Sequence, residues 1–157
     1  MRLTTYTDYA LRTLMYLAVN RERLVTIQDI ATLHTISKNH LTKVVHHLGQ
    51  IGLVITVRGR KGGLKLGAEP KDINIGKLVR QTETDFHMAE CFDREGNRCV
   101  FASKCVLEDT LGAATAAYLK VLDGVTLSTL VPTAAGSPST VGDSQPIVFT
   151  RRLPAPR

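Results

Sequence analysis

The feature that most constrains this chain is a pair of short helical patterns with a basic, glycine-rich hairpin directly after them. Thr26 precedes the segment IQDIATLH, and Asp29 stands three residues after Thr26, a variant of the capping box that begins many helices. This pattern predicts a helix over residues 27–34. After a short break, Ser37 is a suitable N-cap for a second helix over the segment KNHLTKVVHHLGQ.

The second of these helices is amphipathic. Its apolar positions share one face and its polar and basic positions share the other: Leu41, Val44, Val45 and Leu48 against Asn39, Lys43, His46 and Gln50. Gly52 stands where a glycine commonly ends a helix. Two short helices joined by a tight turn predict a helix-turn-helix, whose second helix enters the major groove of DNA.

The hairpin strengthens this prediction. Residues 53–57 (LVITV) and 64–66 (LKL) have the composition of strands, and the segment RGRKGG joins them. Taken alone, such a loop could be a solvated turn. Directly after a helix-turn-helix it predicts a wing that holds Arg58, Arg60 and Lys61 near phosphates or in a minor groove.

The remaining patterns predict a mainly α chain with a small β wing. Helices are expected over residues 7–19, 75–84 and 106–122, and the last of these has an apolar face formed by Leu107, Leu111, Ala114, Tyr118 and Leu122. We expect that face to pair with a second copy of the chain. The predicted organisation is a winged helix-turn-helix domain at 1–84, a loop at 85–105, a dimerisation helix and terminal turn at 106–131, and a disordered tail rich in Pro, Ser and Thr at 132–157.

The charge is distributed unevenly along the chain. Residues 1–66 contain ten Lys and Arg against three Asp and Glu, whereas residues 67–131 contain seven against ten. A basic first half predicts a polyanionic partner, and on charge alone a membrane surface would serve as well as DNA.

Several classes of protein are not expected. No long apolar run or signal-peptide cleavage site is present, so we expect a cytoplasmic protein without a membrane partner. The chain has no nucleophile–base pair, Walker loop or paired-carboxylate motif, and we expect no enzymatic activity. The histidines of the helix-turn-helix region, at positions 34, 40, 46 and 47, are expected to meet phosphate or solvent.

All three cysteines lie in one polar loop. Seven residues separate Cys91 from Cys99, and five separate Cys99 from Cys105. An odd number of cysteines in such a loop favours metal chemistry over disulfides or apolar packing. A zinc site with His87 as the fourth ligand and an iron–sulfur cluster are both compatible with this spacing.

Four motifs in order resemble a known family. The segments MRLTTYTDYALRTLMYLA, SKNHLTKVVHHLGQIGLV and VRGRKGGLKL, together with the three-cysteine loop, resemble the iron–sulfur repressors NsrR, IscR and RirA over about residues 1–131. TDYALR and KNHLTKV look most like the nitric-oxide-sensing NsrR branch, and MAECF also looks like RirA. The resemblance implies a homodimeric repressor on a double-stranded DNA operator. It also implies an iron–sulfur cluster, with [4Fe-4S] favoured over [2Fe-2S], and nitric oxide as the effector.

The resemblance also implies site residues. Cys91, Cys99 and Cys105 would hold the cluster, and Asp8 would supply a fourth ligand from the other subunit, with His87 as the local competitor. An acid in a first helical turn is also favoured by the helix dipole whether or not iron is near. DNA contacts are expected from nine residues: Ser37, Lys38, Asn39, His40, Thr42, Lys43, Arg58, Arg60 and Lys61. The alternatives are a regulator that responds to iron or cluster supply, as RirA and IscR do, and an iron–sulfur electron carrier, which would not need a wing.

Overall fold

The computed structural model describes residues 2–93, 95–100 and 105–131, so the predicted disorder of residues 132–157 lies outside the described residues. The helices are α1 (Thr5–Val19), α2 (Ile27–His34), α3 (Lys38–Gln50), α4 (Ile75–Thr82), α5 (Val106–Asp123) and α6 (Leu127–Leu130), and the strands are β1 (Val54–Val57) and β2 (Gly63–Leu66). This confirms a mainly α chain with a small β wing. None of the helices in the described ranges is long and apolar enough to cross a membrane.

The start of α2 and the turn before α3 have the local geometry of a helix-turn-helix. The Thr26 hydroxyl accepts the Asp29 N–H at 3.1 Å, and the Asp29 carboxylate accepts the Thr26 N–H at 2.9 Å, which completes the predicted capping box. That backbone hydrogen bond holds the pKa of Asp29 below its usual value. Thr35 then takes a left-handed conformation with φ 55°. Ser37 occupies the N-cap position of α3, but its side chain makes no capping hydrogen bond.

The wing is an antiparallel hairpin that the sequence located to within one residue. β1 and β2 pair from Val54 opposite Leu66 to Val57 opposite Gly63. Val25, between α1 and α2, adds one further pair of hydrogen bonds with Leu64, at 3.0 and 2.7 Å. The base of the wing is therefore bound to the helix-turn-helix by backbone hydrogen bonds, an attachment that the sequence did not predict.

One hydrophobic core supports these elements. Most of its fully buried side chains come from α1, α2, α3 and α4, and they include Leu14, Ile30, Leu41, Leu48 and Leu78. Leu127 of α6 is also fully buried in this core. Residues 125–130, which the sequence grouped with the dimerisation helix, thus pack with the DNA-binding domain.

α5 is the least buried of the described α-helices. Across its 18 described residues, no side chain is fully buried. Leu111, Tyr118 and Leu122 are half-buried, whereas Val106 is 79% exposed and Val121 is 59% exposed. One side of the predicted apolar face therefore rests on its own domain, and a neighbouring apolar stripe has no partner within the described part of the chain.

The C-terminal end of α5 is fastened to α4. Arg80 donates two hydrogen bonds to the Asp123 carboxylate, at 2.5 and 2.9 Å. A methyl group at Gly76 would overlap the same carboxylate and the Asp123 backbone nitrogen, so glycine is needed at this close approach. These contacts fix the direction in which α5 leaves the domain.

Candidate DNA-binding surface and cysteine loop

The outer face of α3 presents the residues that the sequence assigned to DNA. Six of them are exposed, namely Ser37, Lys38, Asn39, His40, Thr42 and Lys43. The Thr42 hydroxyl donates to the Lys38 carbonyl at 2.9 Å, so it is partly committed to its own helix. α3 contains no acidic residue. The face that projects from the domain is therefore polar and cationic, as contacts to base edges and phosphates require.

The wing adds further positive charge. Arg58, Arg60 and Lys61 lie in the turn between β1 and β2, and all three are exposed. None of them forms an ion pair with a described residue. Their charges are available to a polyanion without first breaking a contact within the chain.

Three of the histidines, at positions 34, 40 and 47, pack against tyrosines of α1, and the sequence did not predict these contacts. His47 Nδ1 shares a hydrogen bond of 2.8 Å with the Tyr6 hydroxyl. His34 packs edge-on against Tyr16, and its Nε2 is buried with no partner among the described residues. Burial lowers the pKa of His34, which favours its neutral form.

Asp8 lies on α1 beside an open cavity and away from the cysteines of its own chain. Its carboxylate accepts a hydrogen bond from Arg12 Nε at 3.0 Å. The cavity, of about 560 Å³, is lined by Asp8, Arg12 and His34 among others, and no cysteine lines it. A second chain could therefore reach this carboxylate from outside.

The start of α1 is bound to the end of α4, just before the cysteine loop. Thr4 donates to Glu83 Oε1 through its backbone N–H at 2.9 Å and through its hydroxyl at 3.1 Å. Thr7 donates to Thr82 at 2.9 Å inside the core. Sequence reasoning missed Glu83, because an acid after a helix end carries no sign of a partner 79 residues away.

The three cysteines lie in and at the end of the loop that joins α4 to α5. Cys91 is in a short 3₁₀ turn (Glu90–Phe92), and Cys105 is the N-cap residue of α5. All three are free and half-buried. Burial raises the pKa of the Cys91 thiol, and the charges of Glu108, Cys105 and Cys99 raise it further.

The three thiols are chemically suitable ligands for an iron–sulfur cluster, but the described residues do not form an assembled metal site. Among the described residues, no three His, Cys, Asp or Glu side chains lie close enough together to hold a metal ion. His87 is exposed, and its backbone N–H donates to Asp85 at 2.9 Å. Three free thiols in one loop supply the ligands that such clusters take. Neither His87 nor Asp8 of the same chain completes them.

Known proteins are similar to this chain both in sequence and in fold. A family model described as Rrf2, an iron-dependent transcriptional regulator, matches residues 3–133. The HTH-type transcriptional regulator NsrR of Bacillus subtilis (strain 168) is 54% identical over 132 residues, which cover 83% of this chain and 90% of that protein. Two solved structures are similar in fold. T. potens IscR has a TM-score of 0.65 and 26% identity over 82% of this chain and 84% of its own. CymR, the global cysteine regulator of B. subtilis, has a TM-score of 0.68 and 27% identity over 83% and 95%.

The matching family and the NsrR protein of B. subtilis are described as transcriptional regulators, and CymR is described as a cysteine regulator. The prediction that the chain is not an enzyme is therefore confirmed, as is its resemblance to the NsrR and IscR proteins.

Proposed function

The chain belongs to the Rrf2 family of iron-dependent transcriptional regulators, and on that premise we propose that it is a repressor whose operator affinity is set by an iron–sulfur cluster that senses nitric oxide. One observation carries the proposal. Three free thiols lie in the loop of a winged helix-turn-helix chain whose wing cations have no ion-pair partner among the described residues. One short chain thus carries both a surface suited to DNA and a loop with candidate metal ligands.

The DNA-binding half acts through α3 and the wing. α3 enters the major groove, where Asn39 can pair with adenine through two hydrogen bonds and Lys43 can contact guanine. The wing cations neutralise phosphates or enter the minor groove. Phosphate contacts set the position of the domain, and the two α3 side chains select the sequence.

The cysteine loop holds the sensor. Cys91, Cys99 and Cys105 are the thiolate ligands, and Asp8 of a second copy supplies a fourth, weaker oxygen ligand. Asp8 lies beside an open cavity that no cysteine of its own chain lines, which supports a ligand contributed from one subunit to the other. The cluster, [4Fe-4S] in preference to [2Fe-2S], would supply iron with which nitric oxide can react. Because the loop follows α4 directly and α4 is bound to α1, a change in the loop can reach the DNA-binding domain.

The second copy is held by α5. Val106, Ala113, Ala117 and Val121 are exposed and spaced to share one face of the helix. Small residues in the middle of that stripe allow a partner helix to approach closely. The stripe lies outside the cysteine loop, so the homodimer does not depend on the cluster.

A second candidate function is a response to iron or cluster supply. The description of the matching family as iron-dependent favours it, since it names iron rather than nitric oxide. Limiting iron during growth would then relieve repression as strongly as nitric oxide does. The electron-carrier alternative has no support, because the matching family and the B. subtilis NsrR are described as transcriptional regulators.

Salt dependence tests the DNA-binding part. If each subunit neutralises about three phosphates, the logarithm of the affinity falls against log salt with a slope of about −5. Replacing Arg60 and Lys61 by Ala removes about four contacts from a dimer, and the slope falls to about −2 on all sequences alike. Lys120→Ala, an exposed cation on α5, is the matched control and leaves the slope unchanged. A wild-type slope near zero contradicts the proposal.

A further inference from the structure

Two pairs of side chains join α1 to the recognition helix. The Tyr6 hydroxyl and His47 Nδ1 are 2.8 Å apart. The rings of Tyr9 and His40 stack with their centroids 6.4 Å apart and an interplanar angle of 30°. Tyr6 and Tyr9 are three residues apart on α1, and His40 and His47 are seven apart on α3, so each pair shares one face of its helix. α3 is thus joined to α1 at two points, near its start through His40 and near its end through His47.

These contacts add a directional restraint to a helix that the core already packs. The buried face of α3 consists of Leu41, Val44, Val45 and Leu48. Apolar contacts of this kind hold the helix against the core, but they are not directional. A hydrogen bond requires a particular angle and distance. The pair Tyr6–His47 therefore fixes the rotation of α3, and with it the direction in which Asn39 and Lys43 point.

α1 also carries Asp8, on a different side of the helix. Asp8 faces the open cavity beside Arg12, and Tyr9 lines both this cavity and the apolar cleft between α1 and α3. Because a helix moves as a rigid unit, a shift of α1 at Asp8 also shifts the two tyrosines.

We propose that Tyr6 and Tyr9 are positioning residues that orient the reading face of α3 and carry the state of Asp8 to the DNA. The second part of this inference rests on the proposed function, in which Asp8 is a ligand. The first part, orientation of α3, depends only on binding to a DNA sequence.

Tyr6→Phe tests the inference because it removes only the hydroxyl. Tyr16→Phe is the matched control, since its hydroxyl also lies on α1 but contacts Arg23 and not α3. Affinity for operator and for random DNA is measured by fluorescence anisotropy, before and after anaerobic nitric oxide. Tyr6→Phe should lower operator affinity by up to about fivefold per subunit, because the free energy of one hydrogen bond limits how far the orientation of α3 can shift, and it should leave affinity for random DNA unchanged. The ratio of affinities before and after nitric oxide should shrink, and Tyr16→Phe should change neither.

A double-mutant cycle separates this role from a general loss of structure. If Tyr6 acts through His47, then His47→Ala and the double variant lose no more operator affinity than Tyr6→Phe alone. Additive losses, or equal losses on random DNA, overturn the positioning role. An unchanged nitric oxide ratio in Tyr6→Phe overturns transmission. If nitric oxide does not change the operator affinity of the wild-type protein, the sensor function and the transmission both fail. The ratio of affinities for operator and random DNA still decides the positioning role.

Discussion

Replacing Val121 by Glu should separate the two copies of the chain. Val121 is 59% exposed and lies on the apolar stripe of α5. Fully burying a valine contributes about 1.5–3 kcal/mol, so burying the remaining surface contributes about 1–2 kcal/mol. In a symmetric dimer each change occurs twice, and the loss is about 2–4 kcal/mol, which weakens dimerisation by about 30-fold to about a thousandfold. The buried carboxylate of the variant increases this loss.

Sedimentation velocity over a concentration series measures this effect directly. Ile55→Glu is the control, because Ile55 is a 44% exposed apolar residue on β1, away from α5. Both variants should retain the helical circular dichroism of the wild type. If Val121→Glu remains dimeric at the wild-type concentrations, or if Ile55→Glu dissociates as readily, the α5 stripe is not the interface.

Three further changes test other parts of the molecule. Asn39→Ala and Lys43→Ala should each cost about 1–3 kcal/mol per half-site on the operator and relax preference at one base position; in anisotropy titrations, equal losses on random DNA would make them phosphate contacts instead. Cys91→Ala should yield a colourless protein that still sediments as a dimer, and visible absorbance with bound iron and sulfide would exclude Cys91 as a ligand. The hydrogen bonds from Arg80 lower the pKa of Asp123 below its unfolded value, so this pair stabilises the fold above about pH 4 and the stabilisation is lost as pH falls through the folded-state pKa. Denaturant titrations from neutral to acidic pH should therefore show a smaller fall in the free energy of unfolding for Asp123→Asn than for the wild type. An equal fall in both proteins would show that the Arg80–Asp123 pair does not cause the pH dependence.

The helices and the wing could be predicted because their signals are local. Caps, apolar periods and turn residues act within a few positions, and so α2 (Ile27–His34) was predicted with the bounds that the structure has. Contacts between distant positions carry no such signal. Tyr6 meets His47 across 41 residues, and Thr4 meets Glu83 across 79. Periodicity shows that a side chain needs a partner, but it does not show which one.

α5 illustrates the same limit at a surface. The predicted apolar face is divided: Leu111 and Tyr118 are half-buried, whereas Leu107 is 61% exposed, and Val121, which was not predicted for that face, is also exposed. A helix that packs on its own domain along one side and on another copy along the next has a broad apolar surface. The sequence cannot divide such a surface, because both partners select the same kind of side chain.

The candidate metal ligands could be named from the sequence, but their assembly could not. Cysteines in a polar loop indicate metal chemistry by their residue type alone. A fourth donor depends on what folds beside the loop, and Asp8 lies on α1 beside a cavity that no cysteine of its own chain lines. A ligand contributed by a second copy leaves no pattern in the order of residues along one chain.

The sensor proposal can be tested by measuring operator binding, iron and sulfide on one sample of anaerobically purified protein. Protein that contains iron and sulfide should bind the operator tightly, and nitric oxide should bleach its visible absorbance and weaken operator binding together. Protein that contains zinc without iron or sulfide, or operator binding that nitric oxide leaves unchanged while the absorbance bleaches, would contradict the proposal.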